Sequence, residues 1–422
     1  MLLAAVALAA APPPPVSPTI ASLLEAVRQG KPDAVSEFWA RVQRTGTPLV
    51  EPIPGDTANV LFTFVWRGEP STHHVALVNA AVASDEPAKA LLDHVAGTNV
   101  WYRSYPARAD ARFAYELSPD DNLVPFDSVT DWGARASTFH SDPFNAHVYH
   151  ATIFGRDVSY AEGPRAPPEE WIHVRDDVPK GRVEQLTLDS KLLGDSRYVW
   201  IYTPPGYDTL ARRANGLPML LTFDGGEFVE SVPVPVMLDN LLAARRIAPM
   251  IGVFVGSAEN KRDEELAANP RYAEFVATEL VPWVRGRVKI ASSPNDNVIA
   301  GSSLGGLAAA FVALRHPELF GNVLSQSGAF MFSPPEDPKP ERLTRELAAT
   351  PRRDVDFYLE AGIFETGRLE KGVDLLGSNR HFRDALRAKG YRVTYKEFAG
   401  GHSDLNWRSG FATGLLELVG RR

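Results

Sequence analysis

Apolar residues recur at helical spacing from residue 20 to residue 45, where Leu23, Leu24, Val27, Val35, Phe38, Trp39 and Val42 follow a period interrupted at Gly30-Lys31-Pro32. From Asn59 the period shortens to that of strands. Val60–Trp66, Val75–Val78, Val100–Tyr105 and Arg112–Leu117 are β-branched and aromatic runs separated by turn residues. They predict an antiparallel β-sandwich of roughly 100 residues. Gly163-Pro164-Arg165-Ala166-Pro167-Pro168 then reads as a linker or strap, because proline removes donors and stiffens the chain.

After about residue 180 strand and helix patterns alternate. Strands are expected at Tyr198–Tyr202, Met219–Phe223, Ile251–Val255, Val298–Ala300, Val323–Ser325, Phe357–Glu360 and Val393–Phe398. Helical patterns fall at Val236–Arg246, Arg271–Arg285, Leu307–Arg315, His381–Lys389 and Phe411–Val419. Such alternation predicts a mostly parallel sheet with helices on both faces. The expected division is a leader or disordered segment over 1–18, a helical segment with the β-sandwich over 19–165, and an α/β catalytic domain over 175–422.

A length of 422 residues agrees with two domains. The net charge of −8, from 52 acidic and 44 basic residues, provides no basic field for nucleic acid. With no cysteine in the chain, thiol catalysis, disulfides and Cys-ligated metals are excluded. The apolar run Met1–Ala11 is too short for the roughly 20 residues of a membrane-spanning helix. It fits the core of a signal peptide and predicts a periplasmic or secreted protein, although no Lys or Arg precedes Arg28. A cytoplasmic location is the alternative.

Gly301-Ser302-Ser303-Leu304-Gly305 is a G-x-S-x-G between an apolar strand and a helical run. A serine at the apex of that turn needs small residues two before and two after it, because the backbone closes on itself there. Ser303 is therefore the expected nucleophile of an α/β-hydrolase domain. An alcohol needs a positioned base, oriented by an acid, and in this fold the order is Ser, acid, His. Of the histidines downstream, His316 ends a helix, His381 opens a polar helical pattern, and His402 lies in a Gly-rich loop past the last strand. His402 is the expected base. Glu365, just beyond the strand Phe357–Glu360, is the expected acid, with Glu360 as alternate. The oxyanion donors are expected to be the N–H of Leu304 and the N–H of Gly226, with Gly225 as alternate. Arg262, Arg380, Trp407 and Arg408 are candidate substrate contacts at the mouth of the site. His140, His147 and His150 match no zinc spacing, so neither metal nor cofactor is expected. Trp66, Trp101, Tyr102 and Tyr105 could offer an aromatic platform, but in sandwich strands such residues are more often core.

Together Ala300–Leu307, Leu324–Gly328, Leu359–Glu365 and Gly400–Arg408 closely resemble the enterochelin (enterobactin) esterase family. Phe223-Asp224-Gly225-Gly226, Gly97–Trp101 and Asp142–Asn145 extend the likeness over about residues 55 to 420. The resemblance implies an immunoglobulin-like sandwich ahead of an α/β-hydrolase domain that cleaves ester bonds of a tri-catecholate siderophore, releasing its iron. By matching motifs it implies Ser303 as nucleophile, His402 as base and Glu365 as acid. The expected partner is a small-molecule ester, such as a ferric siderophore. Two rival readings are a feruloyl- or acetyl-type esterase acting on polysaccharide-linked esters, and a ligand-binding protein without catalysis.

Overall fold

A computed structural model describes residues 17–152, 155–213, 216–366 and 374–420. The segment expected to act as a signal peptide lies almost wholly outside the described residues. Two compact units emerge, one from residues up to 109 with 115–147, the other from 110–114 with 148–422.

The first unit carries strands β1 (Leu49–Ile53), β2 (Asp56–Arg67), β3 (Val75–Val78), β4 (Asp93–His94) and β5 (Val100–Arg108). β1, β2, β5 and β4 form an antiparallel sheet in that order. Two helices, Pro18–Arg28 and Ala34–Thr45, close against it: Ile20, Leu23, Phe38, Trp39 and Val42 pack with Val65, Val95 and Val100. The helical spacing in the sequence reports that buried stripe. Phe64 and Tyr115 meet edge to face inside the unit, and Trp101 stacks on His94, so these aromatics are spent on packing.

A further strand, β6 (Arg112–Pro119), is followed by β7 (Val148–Ala151) and β8 (Arg156–Glu162). The sequence placed everything up to residue 165 in the first domain, whereas 110–114 and 148–165 pack with the second unit. Arg112, at the start of β6, belongs to the second of these units. Its N–H donates to Ala399 O, and its guanidinium donates to Glu162, Ser409 Oγ and Pro167 O. A buried cation with all these acceptors holds the chain around it in one place.

The second unit is built on an eight-stranded sheet. Its strands are β9 (Arg182–Ser190), β10 (Asp195–Thr203), β11 (Met219–Thr222), β12 (Ile251–Val255), β13 (Val298–Ser302), β14 (Asn322–Gln326), β15 (Asp356–Gly362) and β16 (Val393–Phe398). Their spatial order is β16-β15-β14-β13-β11-β12-β10-β9, and only the pairings of β10 are antiparallel. β11 to β14 are buried along their whole length, as near-continuous apolar runs should be when helices cover both faces. Successive residues serve opposite faces. Leu221, Ile299, Val323 and Phe357 pack on the side of helices Leu304–Arg315 and Leu375–Ala388, and Leu220, Val298, Leu324 and Tyr358 on the side of helices Val234–Ala243 and Asp404–Val419. The expected helix over 271–285 is interrupted by a π turn at Val276–Leu280, just before Pro282. The Pro-rich connection after β8 is a strap: Trp171 and Ile172 pack on the second face, and Trp171 O and His173 O accept from Asn240.

Candidate active site

Ser303 sits between β13 and the helix Leu304–Arg315 with φ +56° and ψ −125°. A non-glycine residue held there costs about 1–3 kcal/mol, so the surroundings must impose the geometry. They do so from β14 and its continuation. The Ser303 N–H donates to Gln326 O at 3.0 Å, and the Ala329 N–H donates to Ser303 O at 2.9 Å. A Cβ on Gly301 would run into the backbone of Gly305, whereas one on Gly305 would come 3.2 Å from Asp224 Oδ2. The turn leaves Ser303 partly exposed, while Ser302 is buried.

Glu365 and His402, expected as acid and base, follow the ends of later strands. β13, β14, β15 and β16 are parallel neighbours, and Ser302, Gln326 and Glu360 are in register across them. Their carboxyl ends therefore lie along one edge, where groups from separate loops can converge. Glu365 follows β15 and His402 follows β16. His402 Nδ1 lies 3.7 Å from Glu365 Oε1, with the glutamate side chain fully buried and the imidazole 18% exposed. His402 Nδ1 and Glu365 Oε2 are both enclosed with no hydrogen-bond partner among the described residues.

Ser327, at φ +48° just past β14, organises this pair. Its hydroxyl donates to Glu365 Oε1 at 2.7 Å and accepts from Trp407 Nε1 at 3.0 Å. The Trp407 ring in turn stands perpendicular to the His402 ring, with centroids 4.9 Å apart. Glu360 is occupied elsewhere. It accepts from Gln326 Nε2 and from the Tyr358 hydroxyl, and burial pushes its carboxyl above the usual range.

The two N–H groups expected as oxyanion donors, those of Leu304 and Gly226, both lie at helix starts. Leu304 is the first residue of its helix, so its N–H has no carbonyl one turn earlier to pair with. Gly226 holds the second position of the short helix Gly225–Val229, entered through Asp224 in the left-handed region at φ +52°. Gly225 is enclosed: a Cβ there would fall 2.7 Å from the Phe254 backbone. Gly226 has room, its nearest neighbour being the Trp200 ring at 3.7 Å. Arg262 fixes this turn through a bidentate pair with Asp224, Nε to Oδ1 at 2.7 Å and Nη2 to Oδ2 at 2.8 Å.

The Esterase family model matches residues 190–418, and the model of the enterochelin esterase N-terminal domain matches residues 61–172. The chain belongs to the Esterase family. It is 28% identical to the iron(III) enterobactin esterase of Dickeya dadantii (strain 3937), over 95% of each chain. The crystal structure of ferric enterobactin esterase from Salmonella typhimurium is similar with a TM-score of 0.75 and 25% identity, covering 90% of this chain and 98% of that one. The enterobactin esterase of Shigella flexneri, solved in the presence of enterobactin, gives a TM-score of 0.73 and 26% identity, covering 90% and 97%. The α/β-hydrolase domain and its N-terminal β-sandwich are those of this family, and the protein is a serine carboxylic-ester hydrolase.

Within the esterase, the arginines expected at the mouth already hold carboxylates. Arg262 is committed to Asp224, Arg380 forms a bidentate pair with Glu397, and Arg408 forms one with Glu169. Arg408 also lies over the rings of Tyr149 and Tyr160. Each ties two segments together instead of presenting a free fork. Trp407 is buried beside His402, where it acts on the pair from behind. His316 and His381 sit against Glu318 and Glu341, apart from the Glu365–His402 pair. Among the described residues no three His, Cys, Asp or Glu side chains gather as a metal site, and no helix is long and apolar enough to cross a membrane. Ser327 and Glu227 are the residues that motif reading passed over. Ser327 was visible only as part of Leu324–Gly328, and Glu227 carried no local signal.

Proposed function

We propose that the esterase hydrolyses the ester bonds of a catecholate siderophore through Ser303, His402 and Glu365, with Leu304 and Gly226 as oxyanion donors. The observation that carries the reading is the pair itself: His402 Nδ1, which has no hydrogen-bond partner among the described residues, faces Glu365 Oε1 at 3.7 Å, beside the strained Ser303 turn along the same edge of the parallel sheet. Kinship supports the substrate class, since relatives matching nearly the whole chain are named for iron(III) enterobactin and iron(III) salmochelin.

In this reaction Ser303 Oγ attacks the ester carbonyl carbon as its proton passes to His402 Nε2. Glu365 keeps the imidazole in the tautomer that can accept that proton and steadies the cation that results. The tetrahedral oxyanion takes the N–H groups of Leu304 and Gly226. The carbon–oxygen bond to the leaving alcohol breaks, and His402 returns the proton to that alkoxide. Water, deprotonated by His402, then releases the acid and restores Ser303. Opening a trilactone this way leaves linear acyl-serine units that hold ferric iron less well than the closed ring. With Met1–Ala11 as an export signal, the reaction would take place in the periplasm.

The test is hydrolysis of a catecholate trilactone, iron-free and ferric, against a feruloylated sugar, with products read by mass spectrometry. Release of dihydroxybenzoyl-serine units is expected. Preference for the feruloyl ester would overturn the siderophore assignment and leave the esterase chemistry standing.

A further inference from the structure

Glu227 follows Gly226 on the short helix Gly225–Val229, next to the proposed oxyanion donor. Its Oε1 is enclosed and has no hydrogen-bond partner among the described residues. The charges that act on it are Asp224 from the turn after β11, Asp404 from the start of the last helix, two residues past His402, and Arg262 from the helix Arg262–Leu266. Arg262 is already neutralised by Asp224. Asp404 is buried, its acceptors drawing on the Leu405 N–H, Ser231 and Tyr149. No hydrogen bond among the described residues therefore reaches Glu227 Oε1, and the Arg262 charge that favours its ionised form is shared with Asp224. A buried polar group without a partner forfeits its hydration, and an apolar side chain would fill the position at less cost.

We propose that Glu227 is a substrate-contacting residue, whose carboxyl hydrogen-bonds a phenolic or carbonyl oxygen of the acyl group whose ester carbon is presented to Ser303. The inference rests on the esterase reading and adds a determinant of which acyl groups bind. Burial, followed by the nearby carboxylates of Asp224 and Asp404, pushes the Glu227 carboxyl up to about 8. At neutral pH it keeps its proton and offers an O–H donor, which an oxygen-rich aryl acyl group can accept and a plain hydrocarbon acyl group cannot. As the pH passes 8 the donor is lost, and a carboxylate in its place repels phenolate oxygens.

The experiment measures binding in the Ser303→Ala background, where turnover does not interfere. The probes are 2,3-dihydroxybenzoyl-serine and benzoyl-serine, titrated from pH 6 to 9.5 by calorimetry. Glu227→Leu should weaken the dihydroxylated probe about tenfold or more and the unsubstituted probe less than about twofold, the loss of one buried hydrogen bond. Glu227→Gln keeps a neutral donor at every pH, so it should preserve neutral-pH affinity and remove the part of the weakening above pH 8 that the parent shows. Equal affinity in the Leu variant overturns the proposal, and so does an identical pH profile in the Gln variant. Thermal melts establish folding; should the Leu variant not fold, the Gln profile decides. Hydrolysis by the unmutated protein is assayed separately, so absence of any Ser303-dependent cleavage would remove the esterase reading without touching the binding result.

Discussion

Ser327 donates its hydroxyl hydrogen to Glu365 Oε1 at 2.7 Å, the same oxygen that His402 Nδ1 approaches at 3.7 Å. Glu365, the proposed acid, is thus held in place from the end of β14. Because Trp407 donates to the same hydroxyl, one small side chain sets both the carboxylate and the ring that flanks the imidazole.

Replacing Ser327 by Ala should lower kcat by about ten- to a hundredfold, the cost of about 1–3 kcal/mol for unpairing buried groups. KM should hold, because Ser327 acts on the reacting groups through Glu365. Steady-state kinetics across pH 6–9 would check this. An unchanged kcat, with kcat/KM following the parent's pH profile, would mean that Ser327 merely packs.

Ser303→Ala should reduce kcat by about 10⁴–10⁶-fold for any ester the protein cleaves, because the acyl-enzyme cannot form. Comparison with the parent on p-nitrophenyl acetate is sufficient. Rates within a few fold of each other would contradict the assignment.

Gly225 and Gly226 should respond differently to the same methyl group. Gly225→Ala drives a Cβ to 2.7 Å from the Phe254 backbone, and a loss of about 1–3 kcal/mol is expected in a denaturant melt. Gly226→Ala meets nothing nearer than 3.7 Å and should fold normally. Gly226→Pro removes the N–H itself, so kcat should fall by roughly 10²–10³ with stability little changed.

The raised Glu227 carboxyl has a consequence for stability. Its folded pKa of about 8 stands above the ordinary value of 4.5, so between those two pH values the unfolded chain releases a proton that the folded protein keeps. Stability should therefore decline as pH rises from 4.5 towards 8, and this contribution should level off above it. Urea melts at intervals from pH 5 to 9 should show a shallower decline for Glu227→Gln. Parallel curves would place the proton on another group.

Chelation offers a separate check. Ester cleavage should survive EDTA when the substrate carries no iron, since the attacking oxygen belongs to Ser303. Loss of activity under those conditions would show that a metal takes part in the hydrolysis.

Much of the catalytic domain was legible because its signals are local. β12 falls where its apolar run predicted, β16 matches its expected bounds although it is a partly exposed edge strand, and β13 to β15 extend their predicted runs by one or two residues at an end. Buried parallel strands have few polar residues to blur them. β9 was missed: Arg182–Ser190 is an edge strand with mostly exposed residues, so burial left little mark on its composition. β7 and β8 were missed as well, being short and set among polar residues. The last helix begins at Asp404, not Phe411, because its first turn is buried by the site and not by an amphipathic stripe.

The sequence by itself pointed to Ser303 as the expected nucleophile, since Gly301, Ser303 and Gly305 form their turn within five residues and the tight approach at Gly301 is written into the motif. It also singled out His402 and Glu365 by their places after strands, and excluded thiol chemistry by the absence of cysteine. Only the tertiary structure decided how charged and polar groups pair. Ser327 meets Glu365 across 38 positions, Arg262 meets Asp224 across 38, and Arg408 meets Glu169 across 239. Such pairings follow from which strands lie side by side and which loops their ends share. Which carboxylate an arginine holds, and that no hydrogen bond reaches Glu227 Oε1 among the described residues, are therefore properties of the folded chain.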